Sequence, residues 1–290
     1  MEFEARPIAG SFAREVVGLR LWEPLRDGDV AALGRLWSQC GVLVFRRQSL
    51  GEDEFAAFSG RFGVLEVHPR ADWNSRANPN ILNLSNLRNF SGEEIGGLGA
   101  GEIDWHTDQS YKLRPGTGAV LYGVELPKGG TPTWFANLRL AYAALPDATK
   151  RRIAGARAVY DYALRTAGYS GKQPDPDEVR RRFPPVTHAL VNADPVTGDK
   201  ALYIDPLTMA GIVGWPEAEA RKMINGLAAH ATQARFVYRH DWRAGDVVMW
   251  DNGFMLHRRE PVGDAPRLLK RTTMALPPDR HIVPEGAPHE

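Results

Sequence analysis

The segment WHTDQSY, residues 105–111, places an imidazole and a carboxylate two positions apart, at His106 and Asp108. Residues i and i+2 of an extended strand point to the same face, so these two side chains can hold one divalent ion. A second segment, WDNGFMLHRRE at 250–260, follows a strand-like run and contributes His257. The spacing therefore predicts that two strands of a β-rich fold bring these three residues together at a metal centre.

Two histidines and one carboxylate leave the opposite side of a metal open, which is the donor set of non-haem Fe(II) oxygenases. A His-x-Asp pair alone is a weak signal, because a chain with eight histidines contains such pairs by chance. The same three ligands with a metal-bound water would also suit a zinc hydrolase. The residues alone leave both kinds of metal site open.

Two arginines lie four residues apart in the C-terminal run RLLKRTTM, at Arg267 and Arg271. The alternating apolar residues predict a strand that carries both guanidinium groups on one face. Buried cations need anionic partners, and arginine is suited to bidentate capture of a carboxylate. The pair therefore indicates either a binding site for an organic anion or a salt bridge within the protein.

Composition excludes several classes of protein. The 290 residues are 43% hydrophobic and 24% charged, which is ordinary for a globular chain and excludes wholesale disorder. A net charge of +1 gives no reason to expect a nucleic-acid partner. The single cysteine, Cys40, excludes an intrachain disulfide, and no apolar run is long enough to span a membrane. With no secretory signal at its N-terminus, the protein is expected in the cytoplasm.

The chain pattern favours strands with inserted helices rather than strict strand–helix alternation. Short apolar runs such as 42–47, 117–126 and 131–137 predict strands, and 216–231 is the clearest helix. This arrangement predicts a mainly β protein, a sandwich or barrel with helical insertions. The glycine-rich run 96–101 is not followed by a helix start, so it predicts a loop beside His106 rather than a dinucleotide site.

Five blocks in order give the chain a more specific resemblance: FSGRFGVLEVHPR (58–70), WHTDQSY (105–111), LPKGGTPTWFANLRLAYAALP (126–146), WDNGFMLHRRE (250–260) and PRLLKRTTM (266–274). In these blocks the chain resembles the TauD/TfdA family of Fe(II)/2-oxoglutarate-dependent dioxygenases. The resemblance implies a double-stranded β-helix, or jelly roll. It also implies a single dioxygenase domain over residues 1–276. Residues 277–290, rich in proline and charge, are expected to form a flexible tail.

The resemblance assigns the iron ligands to His106, Asp108 and His257, and the distal carboxylate of 2-oxoglutarate to Arg267. It implies that a threonine assists this arginine.

The family usually has one residue between the paired glycines and that threonine, whereas this chain has Thr131 and Pro132. Thr133 is aligned because the following aromatic-Ala-Asn then matches residues 135–137, but Thr131 stays an alternative.

The resemblance also implies substrate contacts. Arg271 occupies a position that binds an anionic substrate group in several members, although binding of the co-substrate stays an alternative for it. His68 occupies a position that lines the substrate pocket. Asn86 and Tyr111 could face the same pocket, although a structural role in a loop is as good an interpretation for both.

The activity implied is hydroxylation of an unactivated C–H bond in a small, anionic organic molecule, which can lead to cleavage. Fe(II) is the cofactor and 2-oxoglutarate and O2 are co-substrates, with succinate and CO2 as co-products. The alternatives are an oxygenase that tailors a larger secondary metabolite and a non-catalytic jelly-roll module that binds an anion. Neither nucleic acid nor membrane is expected as a partner. A homo-oligomer is compatible with the resemblance, but no segment specifies an interface.

Overall fold

The computed structural model describes residues 3–68, 71–98, 102–127, 131–167 and 174–289. The strands, in chain order, are β1 (Glu4–Pro7), β2 (Arg14–Val17), β3 (Val42–Phe45), β4 (Val64–Glu66), β5 (Leu82–Ser85), β6 (Gly97–Leu98), β7 (Ile103–His106), β8 (Gly118–Glu125), β9 (Thr133–Asn137) and β10 (Arg157–Tyr160). They continue with β11 (Val186–Ala189), β12 (Val191–Ala193), β13 (Lys200–Leu202), β14 (Met209–Ile212), β15 (Val237–His240), β16 (Val247–Asp251), β17 (Met255–Arg259), β18 (Leu268–Ala275) and β19 (Ala287–Pro288).

Helices lie between the strands, as the sequence predicts. They are α1 (Asp27–Cys40), α2 (Glu52–Gly60), α3 (Leu138–Ala143), α4 (Asp147–Ile153), α5 (Tyr162–Thr166), α6 (Pro176–Arg182) and α7 (Glu217–Ala231). Helix α1 ends at Gly41, whose φ of 78° is left-handed. A Cβ there would lie 2.1 Å from the side chain of Met255, so both the turn and the packing require glycine.

Two sheets form the jelly roll. The larger has nine strands in the order β1-β2-β3-β16-β8-β18-β5-β6, with β4 also paired to β18. The smaller has the order β15-β9-β17-β7. Leu121 of β8 and Leu269 of β18 share one buried core with Phe135 of β9 and Leu256 of β17. The predicted architecture of strands with helical insertions is confirmed, and the two sheets enclose the site described below.

Further strands and helices lie outside these two sheets. A four-stranded sheet has the order β14-β10-β11-β19, and β12 and β13 form a separate hairpin. Asn137 caps α3, because its side chain accepts hydrogen bonds from the backbone N–H groups of Arg139 and Leu140. None of the helices in the described part of the chain is both long and apolar enough to cross a bilayer.

The segment that starts at residue 277 differs from the flexible tail expected from its composition. His281 is buried, and its Nδ1 lies 2.9 Å from Oδ2 of Asp251. Ile282 is also buried, and β19 pairs with β11. Proline and charge content do not predict these contacts, because the contacts are made by His281 and Ile282 with residues that are distant in sequence.

Candidate metal centre and active-site cavity

Three predicted ligands meet between the two sheets. His106 ends β7 and His257 lies in β17, and the two residues are paired directly across these antiparallel strands. Their ring centroids are therefore only 4.1 Å apart. Asp108 lies in the turn after β7, with Oδ1 4.0 Å from Nε2 of His106 and Oδ2 3.8 Å from Nε2 of His257. One ligand atom from each residue can be chosen so that all three lie within 4.8 Å of one another.

The turn after β7 departs from the simple strand expected around Asp108. The next residue, Gln109, has a φ of 58°, in the left-handed region that few non-glycine residues adopt. Its side-chain oxygen accepts a hydrogen bond from the backbone N–H of Gly116 at 2.9 Å. This contact helps to hold a sharp turn, so the carboxylate converges on the two histidines without being in the strand.

Charges at the centre suit a divalent metal. Burial lowers the pKa of His257 from its ordinary 6.5 to about 4. Burial and the neighbouring His257 hold the pKa of His106 well below its ordinary value. Burial alone would raise the pKa of Asp108, but Arg271 and, to a smaller extent, His257, His106 and Arg165 together outweigh it and hold that pKa well below its usual range. Two neutral imidazoles and one carboxylate, the donor set that Fe(II) takes, are therefore present together.

A backbone contact fixes the orientation of His106. Its Nδ1 lies 2.7 Å from the backbone carbonyl oxygen of Asp104, which can only accept a hydrogen bond. The proton therefore sits on Nδ1, and Nε2, the atom that faces Asp108, keeps its lone pair for a metal.

Arg271 contacts the metal centre directly. Its Nη1 lies 3.2 Å and 3.3 Å from the two carboxylate oxygens of Asp108, and both side chains are buried. Its Nε has no hydrogen-bond partner among the described residues. Arg271 thus stabilises the charged carboxylate and retains a donor for another group.

A cavity of about 160 Å³ opens beside the three ligands. Arg267, Arg259 and Thr133 lie along it together. Arg267 is 2% exposed, its Nε has no hydrogen-bond partner within the described ranges, and burial lowers its pKa to about 9. The positive charge of Arg259 contributes the smaller part of this lowering. A buried cation of this kind is costly unless an anion accompanies it.

The other predicted residues divide into two groups. His68 and Tyr111 line the cavity, with His68 stacked on Trp73 at a centroid distance of 6.2 Å and Tyr111 stacked on Tyr162 at 4.0 Å.

Thr133 lines the cavity as well, whereas Thr131 and Asn86 are not among its lining residues. The Asn86 amide donates to the carbonyls of Gly263 and Ala265 and accepts from the backbone N–H of Arg267. The expectation that Asn86 faces the pocket is therefore wrong, because its polar atoms are used to brace the loop before β18.

Sequence reasoning missed several lining residues. Arg259 follows His257 at i+2 in β17, so strand periodicity could have placed it on the same face. Tyr162 and Arg165 come from the short helix α5, more than 50 residues after the metal-binding turn, and no local pattern marks them. The charge of Arg165 nevertheless lowers the pKa of all three predicted ligands.

The metal-free protein should lose stability as pH falls from 6.5 towards 4. His257 is neutral in the folded chain over this range but protonated in the unfolded chain, so the unfolded state binds more protons and gains stability. Replacement of His257 by glutamine should reduce the slope of unfolding free energy against pH by about 1.4 kcal/mol per unit. Urea unfolding in a chelating buffer measures this, and equal slopes for the two proteins would contradict it.

Comparison with known proteins agrees with the geometry. A family model described as "Taurine catabolism dioxygenase TauD, TfdA family" matches residues 4–273. The chain is 35% identical over 283 residues to the alpha-ketoglutarate-dependent 2,4-dichlorophenoxyacetate dioxygenase of Cupriavidus pinatubonensis, covering 94% of this chain and 98% of that relative. It is 32% identical over 296 residues to pentalenolactone F synthase of Streptomyces arenae, covering 94% of this chain and 95% of that relative. The crystal structure of AAD-2 in complex with Mn(II) and N-oxalylglycine superposes with a TM-score of 0.80 at 29% identity. The match covers 96% of this chain and 98% of AAD-2.

A jelly roll that brings two histidines and a carboxylate to one point defines a class, the non-haem iron oxygenases. Within that class, the chain belongs to the TauD/TfdA family. It is a dioxygenase that uses Fe(II), with 2-oxoglutarate and O2 as co-substrates.

Proposed function

We propose that this dioxygenase hydroxylates a C–H bond of a small organic anion. The observation that carries the proposal is the pair of buried arginines on the cavity wall, Arg267 and Arg271, each with an Nε that has no hydrogen-bond partner among the described residues. The distal carboxylate of 2-oxoglutarate and one anionic group of the substrate could accept hydrogen bonds from these two arginines.

Each part of the site has a role in the proposal. His106, Asp108 and His257 would hold Fe(II), which supplies the oxidative decarboxylation of 2-oxoglutarate to succinate and CO2 coupled to C–H oxidation. Arg267 would bind the distal carboxylate of 2-oxoglutarate, since its guanidinium is buried without an acidic partner among the described residues. Thr133 would add a hydroxyl donor from the same wall.

The substrate would lie beside Arg271 and the aromatic part of the cavity. The Nε of Arg271 has no hydrogen-bond partner within the described segments, and Arg165 lies on the same cavity. Tyr111 and His68, each stacked on a second ring, provide flat apolar surfaces that suit a planar substrate. The dichlorophenoxyacetate in the name of the Cupriavidus relative has both an anionic group and a planar ring, so aryloxy acids are the first substrates to test.

A pair of matched substrates tests the proposal. Phenoxyacetate and its neutral amide have the same ring and nearly the same size, but only the acid is an anion. With Fe(II) and 2-oxoglutarate present, we expect the acid to stimulate succinate formation at least tenfold more than the amide, because a charged hydrogen bond to arginine is worth about 1.5–3 kcal/mol. Substrate-dependent succinate release, measured by chromatography, gives the ratio.

Two variants refine this test. Replacement of Arg165 or Arg271 by methionine should reduce the ratio of acid to amide stimulation. The ratio is the readout because Arg271 also contacts Asp108, so its loss should lower the rate with either compound. Equal stimulation by acid and amide in the wild-type protein would contradict an anionic substrate. If sulfonates or sulfate esters stimulate turnover where carboxylates do not, the anion is confirmed and its chemical class changes.

A further inference from the structure

A buried tryptophan outside the cavity contacts one of its predicted donors. Trp242 follows β15 and is 4% exposed. Its indole Nε1–H donates a hydrogen bond to Oγ1 of Thr133 at 2.9 Å. Thr133 is itself buried and is the first residue of β9, where it lies between His240 of β15 and Arg259 of β17.

The direction of this hydrogen bond has a chemical consequence. An indole N–H can only donate, so Thr133 must use an acceptor lone pair towards Trp242. The single hydroxyl proton of Thr133 then remains to be donated to another group. Because Thr133 lines the cavity together with Arg267, an acceptor held between them would receive that proton.

From this geometry we propose that Trp242 is a positioning residue for 2-oxoglutarate. It fixes the hydroxyl of Thr133 as a donor towards the distal carboxylate, which can only accept hydrogen bonds. The proposal rests on the proposed function, in which Arg267 and Thr133 bind that carboxylate. It also gives a reason why Thr133, rather than Thr131, is the threonine of the site.

The turn that carries Trp242 is held in place without a ligand. Asp246 accepts a hydrogen bond from the backbone N–H of Arg243 at 2.8 Å and forms an ion pair with Arg46. The same carboxylate lies 3.2 Å from Nε2 of His240, whose ring packs edge-on against Trp242 at a centroid distance of 4.5 Å. The donor direction is thus set before binding, which reduces the ordering cost that a ligand must otherwise overcome.

Measurements of ligand affinity distinguish this positioning role of Trp242 from a role in packing alone. Calorimetry on the anaerobic Fe(II) protein would compare 2-oxoglutarate with pyruvate, a 2-oxo acid that lacks the distal carboxylate. Replacement of Trp242 by phenylalanine should weaken 2-oxoglutarate binding about tenfold, the worth of one hydrogen bond to a charged group, and change pyruvate binding less than about twofold. The control is Trp37→Phe, since Trp37 is buried with no hydrogen-bond partner for Nε1 within the described ranges.

A double-mutant cycle tests the path through the threonine. In a Thr133→Val protein, the further change Trp242→Phe should alter 2-oxoglutarate affinity less than about twofold, because the hydroxyl is already absent. A full tenfold effect in that background, an equal loss for pyruvate, or an unchanged affinity in Trp242→Phe would overturn the proposal.

Folding and the proposed function are checked separately. If Trp242→Phe does not fold, Thr133→Ser and Thr133→Val provide the test. The proposal then requires serine, which keeps the hydroxyl, to retain discrimination against pyruvate, and it requires valine to lose that discrimination. If both variants lose discrimination against pyruvate, or if neither does, the proposal is overturned. Failure of the wild-type protein to bind 2-oxoglutarate would instead contradict the proposed function.

Discussion

Replacement of Asp108 by alanine is expected to abolish succinate formation. The change removes the only carboxylate in the described part of the chain that lies close to both His106 and His257, so a metal would keep two of its three protein ligands. Loss of even an outer-shell partner of a metal ligand costs about 10- to 100-fold in affinity or activity, and a direct ligand should exceed that. Fe(II) affinity and succinate formation are measured on the same preparation.

The matched control for this variant is Asp194→Ala. Asp194 is also buried and also contacts an arginine, with Oδ2 2.9 Å from Nη2 of Arg139, but it lies outside the cavity. Its loss should lower the unfolding free energy and leave Fe(II) affinity unchanged. Undiminished turnover in Asp108→Ala would remove Asp108 from the metal centre.

Replacement of Arg267 by methionine should weaken 2-oxoglutarate binding about 100-fold. Truncation of one partner in a buried, hydrogen-bonded charge pair typically costs about 2–5 kcal/mol, which corresponds to this range. The unfolding free energy of the ligand-free protein should stay the same or rise, because burial already lowers the pKa of Arg267 to about 9 and methionine removes a costly buried cation. Calorimetric titration and urea unfolding measure the two quantities.

The control variant is Arg157→Met, for which the expected changes in stability and in affinity are the reverse of those for Arg267→Met. Arg157 is half-buried and donates to the carbonyl of Thr187, away from the cavity. This variant should lose stability and keep its affinity for 2-oxoglutarate. Arg267→Lys should fall between the wild-type protein and Arg267→Met, since lysine keeps the charge and loses the bidentate geometry. Unchanged affinity in Arg267→Met would mean that another group binds the distal carboxylate.

The metal ligands could be predicted because their evidence is local in sequence. His106 and Asp108 lie two residues apart, and His257 follows a clear strand. Strand periodicity does not fully explain the place of Asp108, since this residue lies in a turn, where Gln109 has a left-handed φ, rather than in the strand itself. Such a turn has no glycine or proline to indicate it.

Other parts of the site depend on contacts between distant segments. Arg165 reaches the cavity from α5, and Trp242 reaches Thr133 over a separation of 109 residues. For Asn86 the sequence leaves a place in the pocket and a structural role in a loop equally open, and the structure shows its amide bonded to the loop before β18. Polarity in a sequence shows that a side chain needs partners, but only the fold decides whether these are backbone groups or a ligand.

The most direct test of the account is a visible absorption spectrum of the purified protein with Fe(II) and 2-oxoglutarate in the absence of O2. Chelation of the metal by the 2-oxo acid should produce a weak charge-transfer band that is absent with Fe(II) alone and absent in Asp108→Ala. The same band should require a much higher 2-oxoglutarate concentration in Arg267→Met. A folded wild-type protein that binds Fe(II) and shows no such band would contradict the central claim that His106, Asp108 and His257 form the site where iron and 2-oxoglutarate meet.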